Sequence, residues 1–223
     1  MSAVAGFVIA GGLLAAVNLG RLWLPGWSYL PVNAAMLLAL LFIARASGTT
    51  ASDLGIERGR LRPGLARGLA IGLLLAAGVA LAAGIPATRE LFDDQRAAGI
   101  GIGGLLYQAS FRIPLGTALF EEAAFRGVLL GLGRRAWGTR IGTWSSALLF
   151  GFWHVVPALE TAGGNRAADA LPVGIVVAGA VAVTAAAGLV FSWLRDRTGS
   201  LATPVVVHAL VNAAAFTAAW AVG

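Results

Sequence analysis

The residues of this chain that could carry chemistry are carboxylate and imidazole side chains placed inside apolar runs. Glu121 and Glu122 are adjacent in a stretch that otherwise has the composition of a membrane helix, and Arg126 follows one helical turn later. The two histidines of the chain, His154 and His208, also lie in apolar runs. An ionisable residue at the centre of a membrane helix costs about 2.5 to 3.5 kcal/mol. The pattern therefore predicts that these side chains face the protein interior and form a functional site.

Helical spacing assigns different roles to the two glutamates. Residues four apart share a helix face, so Glu122 faces Arg126 and His208 faces Asn212. Glu121 points about 100° away from Glu122, because 3.6 residues make a turn. We interpret Glu122 and Arg126 as a supporting ion pair in which each partner makes the burial of the other tolerable. Glu121 has no such partner on its own helix, so we predict that Glu121 takes part directly in the reaction.

These residue types favour the activation of water over nucleophilic catalysis by the protein. The chain has no cysteine, no G-x-S-x-G sequence and no H-E-x-x-H sequence. Glu121 could act as general base and His154 could position the water, while His208 and Asn212 could donate to a developing oxyanion. Glu121, His154 and His208 could instead hold a divalent metal such as zinc, because carboxylate and imidazole are both zinc ligands. The residues leave the water and metal mechanisms open.

Seven apolar segments are predicted to position these residues. Hydrophobic residues make up 58% of the chain and charged residues 12%, against about 25% charged in a soluble domain. A membrane helix needs about 17 to 25 residues. The segments are Ala3–Leu24, Tyr29–Ala44, Gly68–Ile85, Gly104–Leu132, Ile141–Val156, Pro172–Leu194 and Leu201–Val222. They predict an all-α polytopic bundle of about seven spans, a single membrane domain over residues 1–223 with an intramembrane polar cavity.

Arginine placement predicts the orientation and excludes a nucleic-acid partner. The net charge is +6, yet most arginines lie in the gaps between apolar segments, as in a membrane protein. Alternate gaps carry ten arginines, and the remaining gaps carry four, which are Arg21, Arg89, Arg96 and Arg166. The positive-inside rule then places the N-terminus in the cytoplasm. The alanine-rich composition and the absence of lysine indicate a bacterial plasma-membrane protein whose constant partner is the lipid bilayer.

Three motifs together resemble those of the CPBP family of intramembrane proteases. That family includes the type II CAAX prenyl endopeptidases and the bacterial Abi proteins. The motifs are E-E-x-x-x-R at Glu121–Arg126, F-x-x-x-H at Phe150–His154 and H-x-x-x-N at His208–Asn212. Their order and spacing both match, and the similarity covers a core of about residues 104–222.

The resemblance implies an all-helical membrane fold and peptide-bond hydrolysis within the bilayer. By that likeness Glu121 and His154 activate the water, and His208 with Asn212 stabilises the oxyanion. Glu122 and Arg126 support the site. The family has been described both as metal-dependent and as a metal-free glutamate type, so the likeness predicts neither the presence nor the absence of a metal.

The leading hypothesis is an intramembrane endopeptidase that cuts a membrane-associated peptide or protein. One alternative is a non-catalytic scaffold or bacteriocin-immunity-type protein that binds peptides or partners through the same polar core. Another is a transporter that uses Glu121 as a proton relay, although the sequence shows no inverted repeat. Prenylated tails imply a eukaryotic pathway, whereas the composition of this chain indicates a bacterium, so the sequence leaves open whether prenylated substrates are relevant. The sequence predicts no oligomeric state.

Overall fold

The computed structural model describes residues 1–95, 97–162, 165, 168 and 171–223, and helices dominate this part of the chain. They include two π-helical stretches, Gln108–Leu119 and Glu122–Leu129. The α-helices are α1 (Ala3–Gly20), α2 (Tyr29–Ala46), α3 (Ala51–Leu54), α4 (Arg58–Gly84), α5 (Pro86–Arg89), α6 (Ile102–Tyr107), α7 (Leu130–Trp153), α8 (Val155–Thr161), α9 (Val173–Thr198) and α10 (Ala202–Val222). The predicted all-α class is confirmed.

Five helical stretches in the described residues are long and apolar enough to cross a membrane. They are Ala3–Gly20, Gly26–Ala46, Ala51–Gly84, Val173–Thr198 and Ala202–Val222. The predicted fourth and fifth segments are not among them. The fourth carries Glu121, Glu122 and Arg126, and the fifth is short. The count of about seven spans therefore stays a prediction.

One continuous helix over residues 102–137, which we call the central helix, runs from α6 through both π-helical stretches into the first half of α7. It ends at Gly138, whose φ of 81° and ψ of 171° suit glycine alone among the residues. The second half of α7 then runs to Trp153, and at His154 the helix is interrupted before α8 begins. π-Helical turns are rare and occur frequently at functional sites. Here they bracket Glu121 on both sides.

The apolar core lies around the second π-helical stretch. Phe125, Leu129 and Phe150 pack there against Phe7 from α1 and Leu40 from α2. Large apolar side chains on the outer surface are exposed instead, as expected for a protein whose outer solvent is lipid. The core thus surrounds the helix turn that carries the charged residues.

Helices α4 and α10 make a close contact through small residues. Gly64, Gly68 and Gly72 are spaced four apart on α4, and all three are buried. A Cβ atom at Gly68 would lie 2.9 Å from the Val206 Cβ and 3.0 Å from the Thr203 carbonyl oxygen. This is the small-residue packing by which membrane helices approach each other.

The start of α4 corrects the prediction for the third segment. The third apolar segment is predicted to begin at Gly68, but α4 begins at Arg58. Arginine is a good helix former, and its long apolar stem lets the guanidinium reach the interface while the backbone continues as helix. The arginines of this region therefore extend the helix instead of interrupting it.

We predict that Gly68→Ala lowers the stability of the protein by about 1 to 3 kcal/mol, because the new methyl group overpacks the contact between α4 and α10. Thermal unfolding of the detergent-solubilised protein measures the effect. Gly78→Ala on the same helix is the matched control, since a Cβ there meets no atom within 4 Å. Equal melting temperatures for the two variants would contradict this account of the contact.

Candidate active site

The central helix brings both glutamates into the protein interior. Glu121 lies between the two π-helical stretches, and Glu122 begins the second. Their exposed fractions are 4% and 0%. Two carboxyl groups at this depth require partners, because an unpaired buried charge costs several kcal/mol. The two side chains find different partners, as their angular separation on the helix predicts.

Glu122 is held by a cation and an imidazole. Its Oε1 lies 3.2 Å from Nη1 of Arg126 and 2.9 Å from Nδ1 of His208. The Arg126 guanidinium also lies over the ring of Phe150, with 3.8 Å between Cζ and the ring centroid. The structure thus shows the ion pair between Glu122 and Arg126 that the sequence predicts, and adds His208 as a third member.

Glu121 has one anchored oxygen and one oxygen that faces two imidazoles. The Trp153 indole Nε1–H donates to Oε1 at 3.0 Å. The other oxygen, Oε2, lies 4.0 Å from Nε2 of His154 and 3.8 Å from Nε2 of His208. These two separations are longer than direct hydrogen bonds and are in the range that a bridging water spans. The geometry brings Glu121, His154 and His208 together, as predicted.

Each imidazole is oriented through its other nitrogen. The Nδ1 of His154 lies 2.8 Å from the Phe150 carbonyl oxygen, which can only accept, so Nδ1 carries the hydrogen. The Nδ1 of His208 meets Glu122, and an ionised carboxylate requires a hydrogen there as well. In the neutral form of each histidine, the lone pair on Nε2 therefore points at Glu121. Phe191 stacks on the His208 ring with 5.2 Å between centroids and fixes its plane.

Two adjoining cavities border this cluster. The smaller, of about 440 Å³, is lined by Glu121 and His154, and we call it the glutamate cavity. The larger, of about 860 Å³, is lined by Asn212 and is called the asparagine cavity. The two share Gly26, Arg112, Thr117 and Glu160 in their walls. The structure thus places Asn212 one turn from His208, in the wall of the neighbouring cavity. Its predicted contact with an oxyanion stays a prediction.

The sequence reasoning missed Trp153, which donates to Glu121, and several residues that line the glutamate cavity. Trp153 is adjacent to His154, and this adjacency was the available signal for it. Arg21, Tyr29 and Arg112 come from the end of α1, the start of α2 and the first π-helical stretch. Burial lowers the pKa of the Arg21 guanidinium, which lies just beyond the end of α1. No local pattern connects the first two of these residues with Glu121.

The cluster has the atom types of a zinc site without the spacing of one. Zinc holds carboxylate and imidazole ligands at about 2.0 to 2.2 Å in a tetrahedral arrangement. Within the described residues, no group of three or more His, Cys, Asp or Glu side chains is placed so that it could hold a metal ion. As they stand, Glu121, His154 and His208 do not fit a metal, and we derive no step through one.

Comparison with known proteins connects this site to a protease family. A family model described as "Type II CAAX prenyl endopeptidase Rce1-like" matches residues 100–214. The matched range contains the central helix and all six predicted site residues. Neither the curated proteins nor the solved structures yield a match to this chain. Helices α1 and α2, which supply Arg21 and Tyr29, lie outside the matched range.

We predict that Arg126→Met lowers the stability by about 3 to 5 kcal/mol, because it leaves the Glu122 carboxylate buried without its cation. The double variant Glu122→Gln/Arg126→Met removes both charges and should recover part of that loss. Thermal unfolding in detergent of the wild type, the two single variants and the double variant gives the coupling energy. Additive losses in the double variant would show that the two side chains do not stabilise each other.

Proposed function

Since the chain belongs to the Rce1-like family of type II CAAX prenyl endopeptidases, we propose that it hydrolyses a peptide bond inside the membrane with Glu121 as general base. The family is a protease family, and the apolar helices make the chain an integral membrane protein. The proposal adds the residues, the mechanism and the kind of substrate. The substrate is a membrane-associated peptide or protein that enters the glutamate cavity.

The observation that carries the proposal is the placement of Glu121 Oε2. This buried oxygen has no hydrogen-bond partner among the described residues and faces the two histidine Nε2 atoms at 3.8 and 4.0 Å. We propose that the attacking water binds between this oxygen and the two imidazoles during the reaction. Because the Trp153 indole holds the other carboxylate oxygen, Oε2 is kept pointing at this position. A positioned base beside a shared water is the arrangement that general base catalysis needs.

The proposed reaction proceeds by direct attack of this water. Glu121 takes a proton as the water oxygen bonds to the scissile carbonyl carbon, and the carbonyl oxygen becomes an oxyanion. The protonated Glu121 then gives the proton to the amide nitrogen, the C–N bond breaks, and the products are a carboxylate and an amine. His154 aligns the water through Nε2.

Stabilisation of the oxyanion is assigned to α10. The Asn212 amide is a neutral donor and needs no change of protonation to act. For His208 to donate from Nε2, its ring has to carry two hydrogens, because Nδ1 already donates to Glu122. The oxygens of Glu121 and Glu122 lie 3.8 and 2.9 Å from the two His208 ring nitrogens, so a ring that carries both hydrogens would have a carboxylate beside each of them. We propose that the catalytic core of residues 104–222 works within a single membrane domain formed by the whole chain.

Non-catalytic binding is not favoured as the function. A scaffold has no need of a buried carboxylate whose free oxygen faces two oriented imidazoles. The family match also connects this chain to proteases.

We predict that Glu121→Gln lowers cleavage by at least about 100-fold, because the amide cannot accept the proton from water. The measurement compares peptide termini by mass spectrometry in membranes that contain the wild type or the variant. Glu90→Gln, which removes an exposed carboxylate outside both cavities, is the matched control. Unchanged cleavage in a folded Glu121→Gln protein would reject the mechanism.

Treatment of the wild type with a chelator tests the metal route, and full activity is expected to persist.

Contacts among the described residues place the N-terminus and the connections that follow α2, the central helix and α9 at one end of the bundle. The N-terminal amine donates to the Ala46 carbonyl oxygen at 2.9 Å, and Arg134 pairs with Asp196 at 2.8 Å. We propose that this arginine-rich end is cytoplasmic. Arg96 and Arg166, which were counted for the other side, lie outside the described residues. Both cavities include Gly26 and Glu160 from the opposite connections, and the asparagine cavity adds Trp27 and Leu91. Substrates would then enter from the non-cytoplasmic side.

A cysteine-labelling experiment tests this orientation, because the chain contains no cysteine of its own. We predict that Trp27→Cys in intact cells reacts with a membrane-impermeant maleimide. Ala51→Cys at the arginine-rich end should react only after the cells are permeabilised. Both positions are exposed in the folded protein, and denatured samples provide the value for full labelling. The reverse pattern would place the cavities on the cytoplasmic side.

A further inference from the structure

The glutamate cavity contains two cations that the proposed mechanism does not use. Arg21 and Arg112 come from elements distant in sequence and lie on one aromatic ring. The guanidinium carbons are 4.8 and 4.3 Å from the centroid of the Tyr29 ring. The Tyr29 hydroxyl is itself fixed by Thr117 at 2.8 Å. Three separate elements thus converge to hold two like charges beside Glu121.

Within the described part of the chain, neither guanidinium pairs with a carboxylate. Arg21 donates to the Asn33 side chain, and Arg112 donates to Gln108 Oε1 at 3.2 Å. Among the described residues, no ion pair within 4.0 Å involves either arginine. Each guanidinium has five N–H donors, so most of them are left for another acceptor. This differs from Arg134, whose fork is occupied by both oxygens of Asp196.

The nearby carboxylates do not take this place. Glu160 lines both cavities but is exposed, so solvent screens its charge. Glu121 is anchored by Trp153 and faces the histidines. Two half-buried guanidinium groups beside the same ring repel each other, and a bound anion would offset this repulsion. The fork of a guanidinium matches the geometry of a carboxylate.

We propose that Arg21 and Arg112 form a binding site for a carboxylate group of the substrate. The inference rests on the proposed peptidase function, because it identifies the substrate as a peptide. The carboxylate is the free C-terminus or the side chain of an acidic residue, and both would be presented near the scissile bond. Arg112 lines both cavities, so a substrate held there would place its chain past Glu121 with its acidic group toward the asparagine cavity.

The test uses binding, so that it does not depend on cleavage. The full-length Glu121→Gln protein is immobilised in detergent and exposed to libraries of acetylated apolar peptides with C-terminal acid or C-terminal amide ends. A third library carries the amide end and one internal Glu, and a fourth carries Gln at that position. Mass spectrometry of the retained peptides gives the ratio of acid to amide and of Glu to Gln.

We expect carboxylate-bearing peptides to be enriched at least about tenfold, because charge-assisted hydrogen bonds are roughly twice as strong as neutral ones. Enrichment of C-terminal acids identifies the chain end as the ligand, and enrichment of internal Glu identifies the side chain. Adding Arg112→Gln or Arg21→Gln should abolish the enrichment, while Arg112→Lys should keep part of it.

Arg89→Gln is the matched control, since it removes an exposed arginine that lines neither cavity. Melting temperatures show whether each variant is folded. Equal retention of carboxylate and neutral peptides by the Glu121→Gln protein would overturn the proposal, as would equal loss of enrichment in Arg89→Gln. Either result would leave the peptidase function standing, because that function is tested by cleavage in the wild type and its loss in Glu121→Gln.

Discussion

The interaction on which the site depends is the buried contact of Glu122 with Arg126 and His208. Glu122 and Arg126 have no exposed surface, so each offsets the cost of burying the other's charge. Glu122 Oε1 receives both partners at 3.2 and 2.9 Å. The same carboxylate therefore neutralises a guanidinium and fixes the tautomer of an imidazole. In this way the ion pair on the central helix determines that Nε2 of His208 on α10, and not Nδ1, faces Glu121.

The second requirement is that two adjacent residues point to different neighbours. Both glutamates reach His208 on α10, but through different ring nitrogens, and only Glu121 also faces Trp153 and His154 at the end of α7. His154 lies just after the end of α7, where the helix stops. Its Nδ1 nevertheless bonds to the Phe150 carbonyl oxygen in the last turn of α7, and this bond orients the imidazole. Phe150 lies under the Arg126 guanidinium and against the His154 ring, so one aromatic side chain supports both halves of the site.

Spacing in the sequence was sufficient for some of these features and not for others. The ion pair of Glu122 with Arg126 follows from i, i+4 neighbours on a helix, and such local geometry is preserved even within a π-helical stretch. The grouping of Glu121 with the two histidines followed from burial cost, which applies to any apolar span. The π-helical turns had no signal, because the periodicity argument assumes an α-helix. The contact of Trp153 with Glu121 depends on how α7 packs against the central helix, and no single segment contains that information.

The division of the site between matched and unmatched regions limits what family membership can say about the substrate. The proposed catalytic groups lie within residues 100–214, which the family model covers. The wall that a substrate would touch includes Arg21 and Tyr29, which lie before this range, and Arg112 within it. In the proposed mechanism the water-activating groups therefore lie within the matched range, while α1 and α2 supply part of the wall that a substrate would contact. Because binding groups outside the reacting centre contribute to the specificity of an enzyme, the proposed choice of peptide would depend on α1 and α2, which lie outside the matched range.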